Sequence, residues 1–207
     1  MQKSPRYALI SIPKVFNLNP FHNYLLKIIT GNPGTGKHTI AKSISKKLDL
    51  EIIDINKIAI EQKLVKKNDG VLDVDVNKLK KIIDKKASKN SILVGHLAPY
   101  VASAKNVEVA VVLRKSPYRL QSIYKKRKYS SKKSLENLGS EILGITYYDT
   151  IREFGQKKTF QIDTSSRTIS ETVKKVESIF MRRTKDDKVD WLQMILKKGD
   201  MQKFFPY

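Results

Sequence analysis

The sequence has no cysteine in its 207 residues. Disulfide frameworks and thiolate metal sites are therefore excluded, and the composition fits a reducing, cytoplasmic setting. No apolar run approaches the ~20 residues that a membrane-spanning helix needs, so no membrane partner is expected. Residues 1–24 hold Pro5, Pro13 and Pro20 and no continuous apolar core. They are read as an N-terminal extension rather than a secretory signal. Acidic residues are scarce: 20 Asp and Glu face 41 Lys and Arg, for a net charge of +21. Such a field attracts polyanions and makes association depend on salt. A host with a basic or salt-adapted proteome would leave the same mark. The length favours one main domain that buries a core unaided.

What is present is an alternation of short apolar strands and helices. Leu25–Thr30, Glu51–Ile55, Ser91–Val94, Val107–Leu113 and Thr159–Ile162 read as five strands. Helices are expected from Lys37, over Asn56–Leu64 and Val76–Ser88, from Pro117, along one long stretch at Lys132–Phe154, and from a Ser170 cap to Phe180. Val65–Asp75, with Asn68, Asp69 and Gly70, reads as a loop. This order implies an α/β domain over residues 25–181, with a five-stranded parallel sheet covered on both faces. Ligands of such sheets bind beyond the carboxyl ends of the strands. Residues 182–207 are set apart as a basic tail carrying the apolar Val189, Trp191, Leu192, Ile195, Phe204 and Phe205.

Glycine is also sparse, with nine in all, yet three fall within Gly31–Gly36. The segment Gly31-Asn32-Pro33-Gly34-Thr35-Gly36-Lys37-His38-Thr39 follows a strand and opens a helix, which is the context of a phosphate-binding P-loop. Its glycines let backbone N–H groups turn toward phosphate oxygens, and the helix start adds a positive dipole end. Lys37 would reach the β- and γ-phosphates, and Thr39 the α-phosphate. A glycine-rich turn without a ligand is the plainer alternative. Ser or Thr, the usual residue after the lysine, is replaced by His38. Its missing hydroxyl normally touches Mg²⁺, a cation that prefers oxygen, so no protein metal ligand is assigned. The imidazole could equally turn to solvent.

An ordered set of further segments accompanies the loop: Ile55-Asn56-Lys57-Ile58-Ala59-Ile60-Glu61, Val94-Gly95-His96-Leu97-Ala98-Pro99-Tyr100, Val112-Leu113-Arg114, Arg127-Lys128-Tyr129-Ser130, and Glu136-Asn137 with Glu141-Ile142-Leu143. Together these resemble the adenylate kinase isoenzyme 6 family, the archaeal and nuclear adenylate-kinase-like ATPases of small-subunit ribosome maturation. The resemblance spans about Leu25–Phe180. It implies a P-loop NMP-kinase-like fold with a short lid, ATP and an NMP as ligands, kinase and ATPase activity, and a small-subunit ribosomal protein and its rRNA as partners. By position it assigns Asn56 and Glu61 to the NMP-binding region, His96 and the lid residue Arg127 to the catalytic site beside Lys37, and Asn137 and Glu141 to polar positions of the helix after the lid. The chain departs from the pattern at Val94, where an acid is expected, at Ile123 for a lid arginine, and at Lys128 for the glycine before the lid tyrosine. With His38 and Val94 in place, Mg²⁺ would be held by phosphates and water. For His96, a histidine at a strand end in the core is the other reading.

Arg119, Lys125, Lys126, Arg127, Lys128, Lys132 and Lys133 crowd fifteen residues, with Tyr124 and Tyr129 among them. In a lid, this charge would close over transferring phosphates. The surplus suggests RNA contact with tyrosines available for stacking, and a solvated helix face accounts for it equally well. The expectation is a nucleoside monophosphate kinase with ATPase activity. An ATP-binding assembly factor with little catalysis and a small-metabolite kinase stay open.

Overall fold

The computed structural model describes residues 25–68 and 71–206. The expected extension, residues 1–24, lies outside the described residues. Five strands form one parallel sheet: β1 (Leu26–Thr30), β2 (Glu51–Asp54), β5 (Ser91–Val94), β6 (Val107–Arg114) and β7 (Thr159–Asp163), in spatial order β2-β5-β1-β6-β7. This is the α/β architecture expected from the sequence. The order also brings the carboxyl ends of the strands to one edge, at Asp54, Val94, Thr30, Arg114 and Asp163. Everything that follows these strands is therefore gathered in one place.

Alternation within the strands builds two cores. Ile28, Leu93 and Ala110 face one side, while Ile29, Ile92, Val94, Val109, Val111 and Leu113 face the other. On the first side pack α2 (Ile55–Glu61) through Ile58 and Ala59, α3 (Val76–Lys86) through Leu79 and Ile83, α4 (Ala98–Val101), and Phe154 of α7 (Ile145–Phe154). On the second, α1 (Lys37–Leu48) inserts Ile40, Ala41 and Ile44, and α8 (Ile169–Phe180) inserts Val176, Ile179 and Phe180. Their spacings of three and four residues make each helix a one-faced apolar stripe.

Three local expectations are corrected. Val65–Asp75 is not all loop, because β3 (Val65–Asn68) and β4 (Val71–Val74) pair antiparallel. Asp-Gly between short β-prone runs is a hairpin signal. The long helix expected over Lys132–Phe154 is two, α6 (Ser131–Ile142) and α7. They break at Gly144, whose φ of 68° is left-handed and ends a right-handed helix at small cost only for glycine. The last sheet-packing helix is capped by Thr168 rather than Ser170. The Thr168 hydroxyl accepts the Glu171 N–H, and the Glu171 carboxylate accepts the Thr168 N–H, a reciprocal capping box.

Residues beyond α8 contribute α9 (Trp191–Lys197) and α10 (Met201–Phe204). Ile195 and Phe204 pack against Leu120 and Tyr124 of α5 (Pro117–Lys126) and Leu138 and Ile142 of α6, a third apolar cluster beside the sheet. The short link between α5 and α6 explains one departure from the family pattern. Lys128 adopts φ 55°, its N–H bonds the Lys125 carbonyl, and the Tyr129 N–H bonds the Tyr124 carbonyl. That is a Schellman closure with lysine in the glycine position. Lys128→Gly should therefore raise stability by about 1 kcal/mol, relieving the left-handed strain, as read by urea denaturation. An unchanged or lower midpoint would show that the lysine carries no strain.

Candidate functional site

The loop after β1 is shaped by close packing. A Cβ on Gly31 would lie 2.4 Å from the Leu113 carbonyl oxygen, and one on Gly34 would lie 2.9 Å from the Leu120 side chain. Only glycine lets the loop run between β6 and α5. Its carbonyls are held by the protein. Asn32 O accepts from the Thr35 hydroxyl at 2.9 Å, Pro33 O from the Tyr124 hydroxyl at 2.7 Å, and Thr35 O from the Thr164 hydroxyl at 3.1 Å. Turning the carbonyls away leaves the amide edge and the start of α1 as the ligand-facing side, since the first N–H groups of a helix have no intrahelical acceptor.

Lys37 is 5% exposed, and its ammonium donates to Asn32 O at 3.3 Å. Burial, then the charge of Arg127, push its pKa down to about 8, and Asp54 partly offsets this. Arg127, which follows α5, is thus near enough for its charge to act on Lys37. His96, after β5, stands open to solvent at one face. Desolvation of its ring, and then the charges of Lys37 and His38, push its pKa down to about 4, so it is neutral at pH 7. Lys37, His38 and His96 thus lie near enough to influence one another, and Arg127 acts on Lys37 from the end of α5.

The metal side of the site is built differently from the sequence pattern. Val94 is fully buried in the sheet. Its register partner on β2 is Asp54, so a carboxylate stands one strand over from the position where the family pattern has an acid. Asp54 Oδ1 caps α2 by accepting the N–H of Asn56 at 3.0 Å and of Lys57 at 3.2 Å, while Oδ2 meets His38 Nε2 at 3.2 Å. Among the described residues no group of three His, Cys, Asp or Glu is placed to hold a metal by itself. If Mg²⁺ is used here, phosphate and water would be its main ligands, since this cation keeps several waters, and Asp54 is the carboxylate beside His38. Asp54 was missed in the sequence. Its signal was an acid ending a strand that neighbours the loop strand's partner.

The remaining assigned residues are more dispersed. Asn56 is half-buried at the start of α2, whereas Glu61 is exposed and pairs with Lys57 at 3.7 Å. Asn137 donates to the Lys133 carbonyl at 2.7 Å on its own helix. Glu141, by contrast, is fully buried. Its Oε2 accepts from Asn32 Nδ2 at 2.8 Å, and its Oε1 from Arg114 Nε at 2.8 Å, the Lys115 N–H at 3.0 Å and Trp191 Nε1 at 3.0 Å. It ties the loop to β6, α6 and α9. Tyr124 and Tyr129 stack on each other at 5.2 Å, and Tyr124 is 1% exposed. The tyrosines expected to stack on RNA bases are therefore engaged internally.

Comparison with known proteins fits this geometry. The AAA domain family matches residues 28–144. A Methanocaldococcus jannaschii protein named "Putative adenylate kinase" is 33% identical over 171 residues, covering 80% of this chain and 92% of the relative. The chain belongs to the adenylate-kinase-like family. A Methanosarcina barkeri member with the same name is 29% identical over 184 residues, covering 81% of this chain and 97% of the relative. Among solved structures, a shikimate kinase from Acinetobacter baumannii in complex with shikimate superposes with a TM-score of 0.53 at 15% identity, over 79% of this chain and 97% of that one. A gluconokinase from Sinorhizobium meliloti 1021 gives 0.51 at 14%, over 76% and 92%. At these identities the structures share the P-loop kinase fold with this adenylate-kinase-like chain and nothing finer.

Lys37 gives the site a pH signature. Its folded pKa, about 8, lies below the ordinary 10.5. The unfolded chain binds the extra proton between those values, so stability rises with pH across that window, and the cost of the buried ammonium is fully present below about 8. An anion at the loop favours the charged form. Triphosphate affinity should therefore fall as pH rises above about 8, and Lys37→Arg should abolish that fall, measured by calorimetric titration from pH 7 to 9.5. A flat wild-type profile would place the ammonium outside the binding step.

Proposed function

We propose that the chain transfers the γ-phosphoryl group of ATP to AMP or another NMP, with accompanying ATPase activity. The observation that carries this reading is the buried Lys37 at the head of α1, with Arg127 close enough to depress its pKa. Two cations that act on each other, with Asp54 offsetting only part of their repulsion, favour an anionic ligand. The loop amides and Lys37 would hold the β- and γ-phosphates, and Arg127 would cover the transferring group, where charge is spread over its oxygens. An NMP phosphate is already anionic, so no protein base is required. Neutral His96 can orient an acceptor oxygen by hydrogen bonding without competing for phosphate charge.

The triphosphate's base would enter the groove of about 370 Å³ that includes Ser116, Arg119, Ser165 and Lys198. That groove adjoins the loop, because Thr164 bonds Thr35. Asn56 and Glu61, on α2, mark the side proposed for the NMP. Mg²⁺, when bound, would neutralise the bridging phosphate oxygens; Asp54 would orient its water, and His38 would fix Asp54.

The test is a coupled ATP/AMP turnover assay across a Mg²⁺ titration. Lys37→Ala should lose about 10²-fold or more of the rate. Asp54→Asn should need more Mg²⁺ for half-maximal rate. Absence of NMP phosphorylation by the wild type at saturating Mg²⁺ would overturn the kinase reading. Binding without turnover would point to an ATP-dependent assembly factor, and transfer to another acceptor in a screen would point to a small-metabolite kinase.

A second reading concerns partners. The resemblance suggests action on the maturing small ribosomal subunit, and the charge supports it. Arg119, Lys125, Lys126, Arg127, Lys128, Lys132 and Lys133 are all exposed, and none forms an ion pair among the described residues. With the tyrosines engaged, contact would rest on phosphates rather than base stacking. Lys125→Glu, Lys126→Glu and Lys132→Glu together should weaken binding to small-subunit RNA and flatten its salt dependence, while ATP affinity changes little. Unaltered RNA binding, or recovery of neither RNA nor ribosomal protein in a pull-down at physiological salt, would leave these residues as a solvated face.

A further inference from the structure

We infer that helix α9 positions the phosphate loop through the buried relay Trp191–Glu141–Asn32, so that docking of α9 and nucleotide binding are coupled. The inference rests on the nucleotide-binding reading of the loop. Each link is a direct hydrogen bond in the interior. The indole N–H of Trp191 donates to Glu141 Oε1 at 3.0 Å, and the Asn32 amide donates to Glu141 Oε2 at 2.8 Å. Ser140 and Thr146 fix the other end of that amide, each hydroxyl donating to Asn32 Oδ1 at 3.2 Å. The Asn32 carbonyl then accepts the Lys37 ammonium. Movement of the Glu141 carboxylate is therefore transmitted to the residue that orients Lys37.

Trp191 is suited to tune this carboxylate rather than merely to hold it. Arg114 and the Lys115 N–H also occupy Oε1, so the buried charge survives loss of the indole donor. What is lost is the contribution of α9 to where the carboxylate sits. The helix lies beyond the residues matched by the AAA domain family, 28–144, so its input is added to that segment from outside it. It is fastened to α5 and α6 by Ile195, in the cluster with Leu120, Tyr124 and Leu138. Tyr124 in turn donates to the Pro33 carbonyl of the loop. Thus α9 reaches adjacent loop residues by two routes, one polar and one apolar. By linkage, whatever α9 does to nucleotide affinity, nucleotide does to the docking of α9.

Trp191 is the only tryptophan in the chain, which makes it its own reporter. The test uses the full chain with Trp191→Phe, which keeps an aromatic ring and removes the N–H. Hydrogen exchange of the Asn32–Lys37 amides is measured without nucleotide. Exchange should accelerate about tenfold in the variant, the scale of one charge-assisted hydrogen bond. Ile83→Val, in the first sheet-packing core and outside both routes, should lower the melting temperature and leave loop exchange at the wild-type value. ATP affinity is then measured by calorimetry in wild type, Trp191→Phe, Asn32→Ala and the double variant. Trp191→Phe should weaken ATP about tenfold, and the double variant should bind no more weakly than Asn32→Ala, because the relay is already cut. In wild type, Trp191 fluorescence should change with ATP at the calorimetric midpoint. Unchanged loop exchange in Trp191→Phe, additive losses in the double variant, or a silent Trp191 in a protein that binds ATP would each overturn the coupling. A wild type that binds no ATP would overturn the nucleotide reading instead, and the exchange measurement would still decide the relay.

Discussion

One buried carboxylate organises the loop end of the molecule. The Glu141 side chain is 1% exposed and that of Arg114 is 4%, and they meet at 2.8 Å. Desolvating both charges is expensive, and such a pair gives little net stability by itself. Its consequence is specification. Arg114 is further fixed by Gln161 at 2.9 Å and by the Glu141 carbonyl at 2.7 Å, and the carboxylate has four donors from three parts of the chain. Removing one side of the ion pair would strand the other, at a cost of about 3–5 kcal/mol. The chain is therefore committed to one arrangement of β6, α6, the loop and α9. An apolar replacement would hold the helices together without fixing Asn32.

The fold was legible in the sequence because its strongest signals are local. Short apolar runs such as Ile28-Ile29 and Val109–Leu113, buried on both faces, mark a parallel sheet, and a glycine loop between strand and helix marks its ligand end. What was not legible depended on single-residue geometry or on partners far along the chain. Gly144 splits one apparent helix into two because the turn it makes needs positive φ, which periodicity alone does not reveal. Glu141 looked like one more polar position on an amphipathic helix. Its role arises from Asn32, 109 positions away, and from Trp191, 50 positions away. No window of sequence contains that set.

The departures from the family pattern read differently in three dimensions. Lys128 holds a left-handed backbone conformation that favours glycine, so the turn forms and only strain is added. Val94 removes an acid, but sheet register places Asp54 beside it, and His38 is the residue that meets Asp54. The two substitutions that looked independent in sequence thus converge on one carboxylate. A histidine in place of a hydroxyl cannot offer oxygen to a hard cation, yet it can orient a neighbouring carboxylate.

The electrostatics of the loop complete this reasoning. Burial and Arg127 both work against the Lys37 ammonium, and only Asp54 supports it. In a protein with 41 basic and 20 acidic residues, a nearby acid is a scarce resource, and Asp54 is shared between a helix cap, His38 and Lys37. The ammonium meanwhile rests on a loop carbonyl that offers only a partial charge. A polyphosphate at the start of α1 would supply the full counter-charge that the protein withholds. The burial that destabilises the Lys37 ammonium and the favourable effect an anion would have there are then one property of the loop.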